Sequence, residues 1–174
     1  MTALRPVLKH LASWAWQLAL FAALFVGVSA YQTRHHLARV PAPDFTLQDL
    51  SGNAISLSQH RGKKVLIHFF ATWCGVCRAE LPSVRGVARN LGPNEVLLAI
   101  VEDSDDVAAI QRFARDHELS YPILLGKRET LAAYRVSSFP TNYYVNGDGT
   151  IHASTVGLST RLGMAIRLFW TNAL

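Results

Sequence analysis

The apolar positions of this chain fall into two regimes. Residues 11–33, LASWAWQLALFAALFVGVSAYQT, run without one formally charged side chain. As a helix they would rise about 35 Å, enough to cross a hydrocarbon core of about 30 Å. Trp14, Trp16 and Tyr31 stand toward the two ends, where amphipathic rings favour the membrane interface. A buried core helix is rarely so long and apolar on every side. A cleavable signal peptide is the stronger rival, since Val28, Ser29 and Ala30 resemble a cleavage site. The run exceeds the usual apolar region of a signal peptide, about 7–15 residues, so a retained transmembrane anchor over 11–33 is expected, with a cytoplasmic tail at 1–10. Residues 34–43 read as a linker, because Pro41 and Pro43 disfavour helix at the positions before them.

After the linker the pattern shortens into alternating segments, and residues 44–174 fit one domain. FTLQDLSGNAISL (45–57) reads as a hairpin turning at Ser51-Gly52-Asn53. KKVLIHFF (63–70) and EVLLAIV (95–101) are short apolar runs with β-branched residues, the signature of buried strands. A helix is predicted from Cys74 to about Asn90, kinked at Pro82. Ser104-Asp105-Asp106 supplies capping chemistry for a helix ending near His117. YPILL (121–125) is a short strand, ETLAAYR (129–135) a short helix, and 141–157 a hairpin around Gly147-Asp148-Gly149. Thr160 can cap a last helix. This order predicts an α/β fold, a central mixed sheet flanked by helices.

Charge changes the picture only by its placement. The formal net charge is +5, yet from Pro41 onward 13 Lys and Arg stand against 12 Asp and Glu. The excess belongs to the N-terminal segment, where Arg5, Lys9, Arg34 and Arg39 stand with no acidic residue, so no folded basic face for nucleic acid is expected.

Both cysteines lie in FFATWCGVCRAELP (69–82). Cys74 and Cys77 supply two metal ligands where a zinc site needs three or four, and the seven histidines show no paired metal spacing, so no metal is expected. As a structural staple the pair would close a loop too small to constrain the unfolded chain much. Redox chemistry fits better. A strand ends and Cys74 opens a helix, whose unpaired N–H groups and positive dipole end stabilise a thiolate. Two intervening residues bring Cys77 back by one turn. Cys74 is then the exposed nucleophile and Cys77 the buried resolving thiol. VSSFPT (136–141) adds Pro140 just before an expected strand, a poor place for proline unless the bond is special. A cis Phe139–Pro140 bond beside the cysteines would let the Phe139 backbone pair with a substrate chain.

WCGVC after an apolar strand, CRAELP in the following helix and SFPT further on resemble the thioredoxin superfamily. APDFTLQDLSGNAISLSQHRGKKVLIHFFATWC resembles its membrane-anchored TlpA/ResA/DsbE-type branch, and the ending LGMAIRLFW resembles the suppressor-for-copper-sensitivity D type. The resemblance implies a thioredoxin-like fold and an extracytoplasmic thiol–disulfide oxidoreductase in the periplasm, anchored in the bacterial inner membrane. It implies Cys74 as attacking thiol, Cys77 as resolving thiol and Pro140 as the cis-proline. Trp73 and Phe139 would meet the substrate. The implied partners are protein disulfides and a membrane thiol donor of the DsbD/ScsB type; no cofactor is implied.

The chain departs from that pattern at His68, where thioredoxin has a buried aspartate. His68 is either a packed core histidine bonded to backbone or a candidate proton relay for Cys77. Glu102 and Asp103 lie where heme-maturation relatives carry an acidic residue, though the run EDSDD also suits helix capping. Arg78 and Glu80 are expected to face solvent. Gly75-Val76 between the cysteines matches neither the Gly-Pro of thioredoxin nor the Pro-His of a strong oxidant, so the direction of electron flow stays open. Reduction of protein disulfides is the expected activity. The alternatives are a peroxiredoxin-like peroxidase, against which the CxxC pair counts, and a copper-binding thiol module.

Overall fold

The computed structural model of the chain describes residues 40–172 except 104, and before them residues 14, 16–17, 19–21 and 23–24. The chain divides into two compact units, Met1–His35 and His36–Leu174. In the first, every described residue is helical and exposed. Among the described residues no helix is long and apolar enough to cross a membrane. The expected anchor over 11–33, like the tail 1–10 and linker residues 34–39, lies largely outside them.

The second unit is built on a five-stranded mixed sheet. At its centre β3 (Lys64–Phe70) pairs in parallel with β4 (Glu95–Val101), and β4 pairs in parallel with β5 (Ile123–Leu125). On its other side β3 pairs antiparallel with β6 (Thr141–Val145), and β6 with β7 (Ile151–Val156). The hairpin β1 (Thr46–Gln48) and β2 (Ala54–Ser56) forms a separate two-stranded sheet. It turns on Asp49, whose carboxylate accepts the N–H groups of Ser51 and Asn53 at 2.8 Å each.

β3 is apolar on both faces because both are covered. Leu66 and Phe70 pack with Val84 and Val87 of α1 (Gly75–Ala88), Ile110 of α2 (Val107–Asp116), and Met164 and Leu168 of α4 (Arg161–Trp170). Val65, Ile67 and Phe69 pack the opposite way, against Leu47, Leu57 and Tyr134, beside Leu131 of α3 (Arg128–Ala133). Each of the fully buried side chains among them contributes about 1.5–3 kcal/mol relative to exposure. The fold is therefore thioredoxin-like in its layers, with the mixed sheet and flanking helices that the sequence predicts.

The ends of the elements move slightly. β5 starts at Ile123 because Pro122 has no N–H to give, although its carbonyl accepts the Ala99 N–H at 3.0 Å. α3 stops short of Arg135, which takes a left-handed backbone, φ 52°. Of the acidic run 102–106, Asp106 caps α2, accepting the Ala109 N–H at 2.8 Å. Glu102 and Asp103 do not cap it; they turn to the loop before the cysteines. At Gly126 a Cβ would lie 2.4 Å from the Val101 carbonyl oxygen, so only glycine fits the close approach after β5.

Candidate active site

The site forms where β3 ends. Ala71, Thr72 and Trp73 carry the chain from the strand to α1, and Cys74 sits at the N-cap with extended backbone. Cys74 and Cys77 are joined in a disulfide, with Cα atoms 5.2 Å apart. Cys74 Sγ also accepts the Cys77 N–H at 3.1 Å. A free amide of the first helical turn thus points at this sulfur, which favours negative charge on it once the bond is reduced. Cys74 keeps 7% of its surface open and Cys77 none. Cys74 is thus buried, not exposed as expected, because the strand-to-helix loop and Phe139 close over it, though it is the more open of the two.

The Phe139–Pro140 peptide is cis, and the Phe139 carbonyl oxygen lies 3.7 Å from Cys74 Sγ. The Trp73 ring is 63% exposed and meets Phe139 edge to face at 6.0 Å. With exposed Val76, these rings make an apolar rim beside the disulfide. The loop below is pinned by Asp103, which accepts the Thr72 N–H at 3.0 Å and the Thr72 hydroxyl. Glu102 accepts the Trp73 indole N–H at 3.4 Å. The neighbourhood that suggested capping therefore holds the loop in front of Cys74. Arg78 is exposed as expected and donates to the Thr72 carbonyl at 2.8 Å.

Glu80 is a correction. It was expected in solvent and is fully buried. The physical reason is helical spacing: Cys77, Glu80, Leu81 and Val84 share the inward face of α1. Its carboxylate accepts the Ser159 N–H at 2.6 Å and the Asn142 amide at 3.4 Å through Oε1, while Oε2 has no hydrogen-bond partner. Burial, opposed only in part by these bonds, pushes the carboxyl up to about 7.

His68 is also fully buried, but its bond is not to backbone. Its Nδ1 donates to the Asn142 side-chain oxygen at 2.8 Å, and the same nitrogen lies 3.6 Å from Glu80 Oε2. Asn142 Oδ1 can only accept, so His68 carries its proton on Nδ1. Its Nε2 is buried without a partner. The ring stacks on Phe70 at 5.5 Å. Burial lowers the His68 pKa to about 4, so the ring is neutral at ordinary pH. His68, Asn142, Glu80 and Ser159 make one buried polar chain on the α1 side of the sheet. Sequence reasoning missed its last three members. The 3.6-residue period of α1 could have found Glu80. Asn142 comes opposite His68 only through the β3–β6 register.

Residues 38–154 match the model of a family described as AhpC/TSA. The thioredoxin-like protein YneN of Bacillus subtilis (strain 168) is 36% identical over 129 residues, covering 73% of this chain and 76% of that protein. The thiol–disulfide oxidoreductase ResA of the same organism is 31% identical over 120 residues, covering 68% and 67%. The exposed lipoprotein thioredoxin of Streptococcus pneumoniae strain TIGR4 superposes with a TM-score of 0.64 at 27% identity, covering 73% of this chain and 98% of that one.

Proposed function

The chain belongs to the AhpC/TSA family and is a thiol–disulfide oxidoreductase of the ResA-like kind, and on that footing we propose that it reduces protein disulfides on the outer side of a bacterial inner membrane. The observation that carries this is Cys74 at the α1 N-cap, the Cys77 amide on its sulfur and the Phe139 carbonyl beside it.

In the reduced enzyme the Cys74 thiolate attacks one sulfur of a substrate disulfide. The new bond joins Cys74 Sγ to that sulfur, and the other substrate sulfur leaves as a thiolate that takes a proton. Cys77 then loses its proton and attacks Cys74 Sγ. The substrate departs with two thiols, and the enzyme is left with the Cys74–Cys77 disulfide. Trp73 and Phe139 offer apolar contact to the substrate chain, and the Phe139 backbone beside Pro140 is placed to align it. Glu80, one turn beyond Cys77 on α1, and His68 behind it are the buried groups able to hold the resolving proton. Each turnover consumes two electrons, which a membrane thiol donor of the DsbD/ScsB type would restore.

Residues 11–33 act as a single-pass anchor in this reading, and the catalytic domain faces the periplasm. The ending LGMAIRLFW supports the narrower assignment to the suppressor-for-copper-sensitivity D type, with a role in copper tolerance; growth on copper of cells lacking the protein tests it. The direction of electron flow is tested by the reduction potential of the full chain in detergent, equilibrated with dithiothreitol or glutathione and followed by Trp73 fluorescence. A value at or below roughly −230 mV supports the reductase. A value near roughly −120 mV overturns it and makes the protein a disulfide donor.

A further inference from the structure

α4 is apolar on two opposite faces. Met164 and Leu168 are buried in the core. Leu162, Ile166 and Phe169, spaced i, i+4 and i+7, share the outer face and are 70%, 47% and 74% exposed. Trp170 extends the stripe beside Phe169, and exposed Leu158 precedes it. A helix apolar all round is one covered all round, and a contiguous exposed patch of this kind marks a binding surface.

The charges near it have one dominant sign. From Gly149 to Leu174 the chain has no Asp or Glu, and its formally charged side chains are Arg161 and Arg167. Lys64 joins them at the foot of the helix. Its ammonium donates to the Phe169 carbonyl at 3.1 Å and stands 5.6 Å over the Phe169 ring. Glu95, 3.9 Å from that ammonium, and exposed Asp148 in the turn bonded to Asn172 are the acidic neighbours. Bulky apolar groups rimmed by Arg and Lys are the composition of a helix lying in a membrane interface.

The position agrees with the chemistry. The foot of α4 is bonded to the turn between β6 and β7: Gly147 N–H donates to the Asn172 carbonyl at 2.6 Å, and Asn172 N–H to the Asn146 side chain at 3.0 Å. The same turn receives the incoming chain. Ile151 N–H donates to the Val40 carbonyl at 2.8 Å, and Ala42 N–H to the Gly149 carbonyl at 2.9 Å. The aromatic end of α4 and the point where the linker enters thus flank one turn. The cysteines lie at the other end of β3, about 20 Å along the strand.

We propose that the outer face of α4 rests on an anionic lipid surface. Leu162, Ile166, Phe169 and Trp170 enter the headgroup boundary, while Arg161 and Lys64 at the two ends of the helix meet lipid phosphates; Arg167 is half-buried and donates to the Gly163 carbonyl at 2.9 Å. The cysteine pair is then held on the side away from the bilayer. This rests on the reading of residues 11–33 as an anchor.

The test uses the full chain with Trp14, Trp16 and Trp73 changed to Phe, leaving Trp170 as its one tryptophan. It is reconstituted with vesicles of phosphatidylcholine and phosphatidylglycerol, with plain or brominated acyl chains. The expected result is flotation with the vesicles and loss of roughly half the Trp170 emission in brominated lipid, as for an apolar face sunk about 5–10 Å into the interface. Adding Leu162→Asp and Phe169→Asp should restore that emission while flotation persists. Flotation with no bromine quenching, and free access of aqueous iodide to Trp170, overturns the docking and leaves the anchor standing. Flotation with no bromine quenching but iodide shielded from Trp170 also overturns it, assigning the face to a protein contact. Failure to float overturns anchor and docking together.

Discussion

His68 on the central strand and Glu80 on the active-site helix meet inside the core, His68 Nδ1 lying 3.6 Å from Glu80 Oε2 with both side chains out of contact with solvent. Asn142 joins them, its oxygen taking the His68 proton donor and its amide turning to Glu80. An ion pair here would have to overcome the desolvation of two charges. Burial instead moves each group toward its neutral form, Glu80 up to about 7 and His68 down to about 4.

That pair makes a pH prediction with a defined sign. Between the ordinary carboxyl value of 4.5 and about 7, native Glu80 holds a proton that the unfolded chain has released, so it makes stability fall as pH rises. Between about 4 and 6.5, native His68 lacks a proton that the unfolded chain holds, so it makes stability rise. The two slopes oppose one another from about 4.5 to 6.5. Glu80→Gln removes the first. Chemical denaturation of the oxidised protein across this window should then show this pair's contribution nearly flat in the wild type. The variant should gain stability with pH, by up to about 1.4 kcal/mol per unit more than the wild type. Parallel pH profiles for the two proteins would refute the assignment.

Asn142→Leu keeps the volume and removes both bonds of the amide. His68 Nδ1–H loses its acceptor, and Glu80 keeps only the Ser159 N–H. A buried donor left unpaired costs about 1–3 kcal/mol. The midpoint of denaturation should drop accordingly at pH 7, and a loss below about 0.5 kcal/mol would show that the buried chain adapts without Asn142.

Cys77→Ser should trap the first half of the exchange. The attacking sulfur remains, and nothing releases the substrate. Incubation with a disulfide-bonded protein should accumulate a mixed disulfide through Cys74, seen by mass spectrometry after acid quenching. Cys74→Ser should accumulate far less, since Cys77 is fully buried. Equal trapping by both variants would contradict the division of roles.

Asp103→Ala removes the acceptor for the Thr72 N–H and hydroxyl just before Trp73 and Cys74. The fold should lose only about 1 kcal/mol. The reduction rate of a protein disulfide should fall by about tenfold or more, because the nucleophile is no longer held in line. Stopped-flow turnover beside a denaturation curve separates these effects. A change in stability without a change in rate would make Asp103 purely structural.

Much of this molecule is determined locally. The strands 64–70 and 95–101 are apolar runs that no partner choice could place on a surface, and the CxxC pair marks where a strand gives way to a helix. Asp106 caps α2 by chemistry confined to four residues. Tertiary structure decided what depends on two distant segments meeting. The period of α1 can turn Glu80 inward, but only Ser159 and Asn142, 79 and 62 residues away, supply the bonds it needs there. His68 acquires its partner only when β6 pairs beside β3, setting His68 opposite Asn142. Asp103 looks like a helix cap until the parallel pairing of β3 and β4 brings it beneath Thr72. The physical reason is the same each time: a propensity is a property of neighbours in the chain, whereas the cost of burying a polar group depends on which distant donors fold against it.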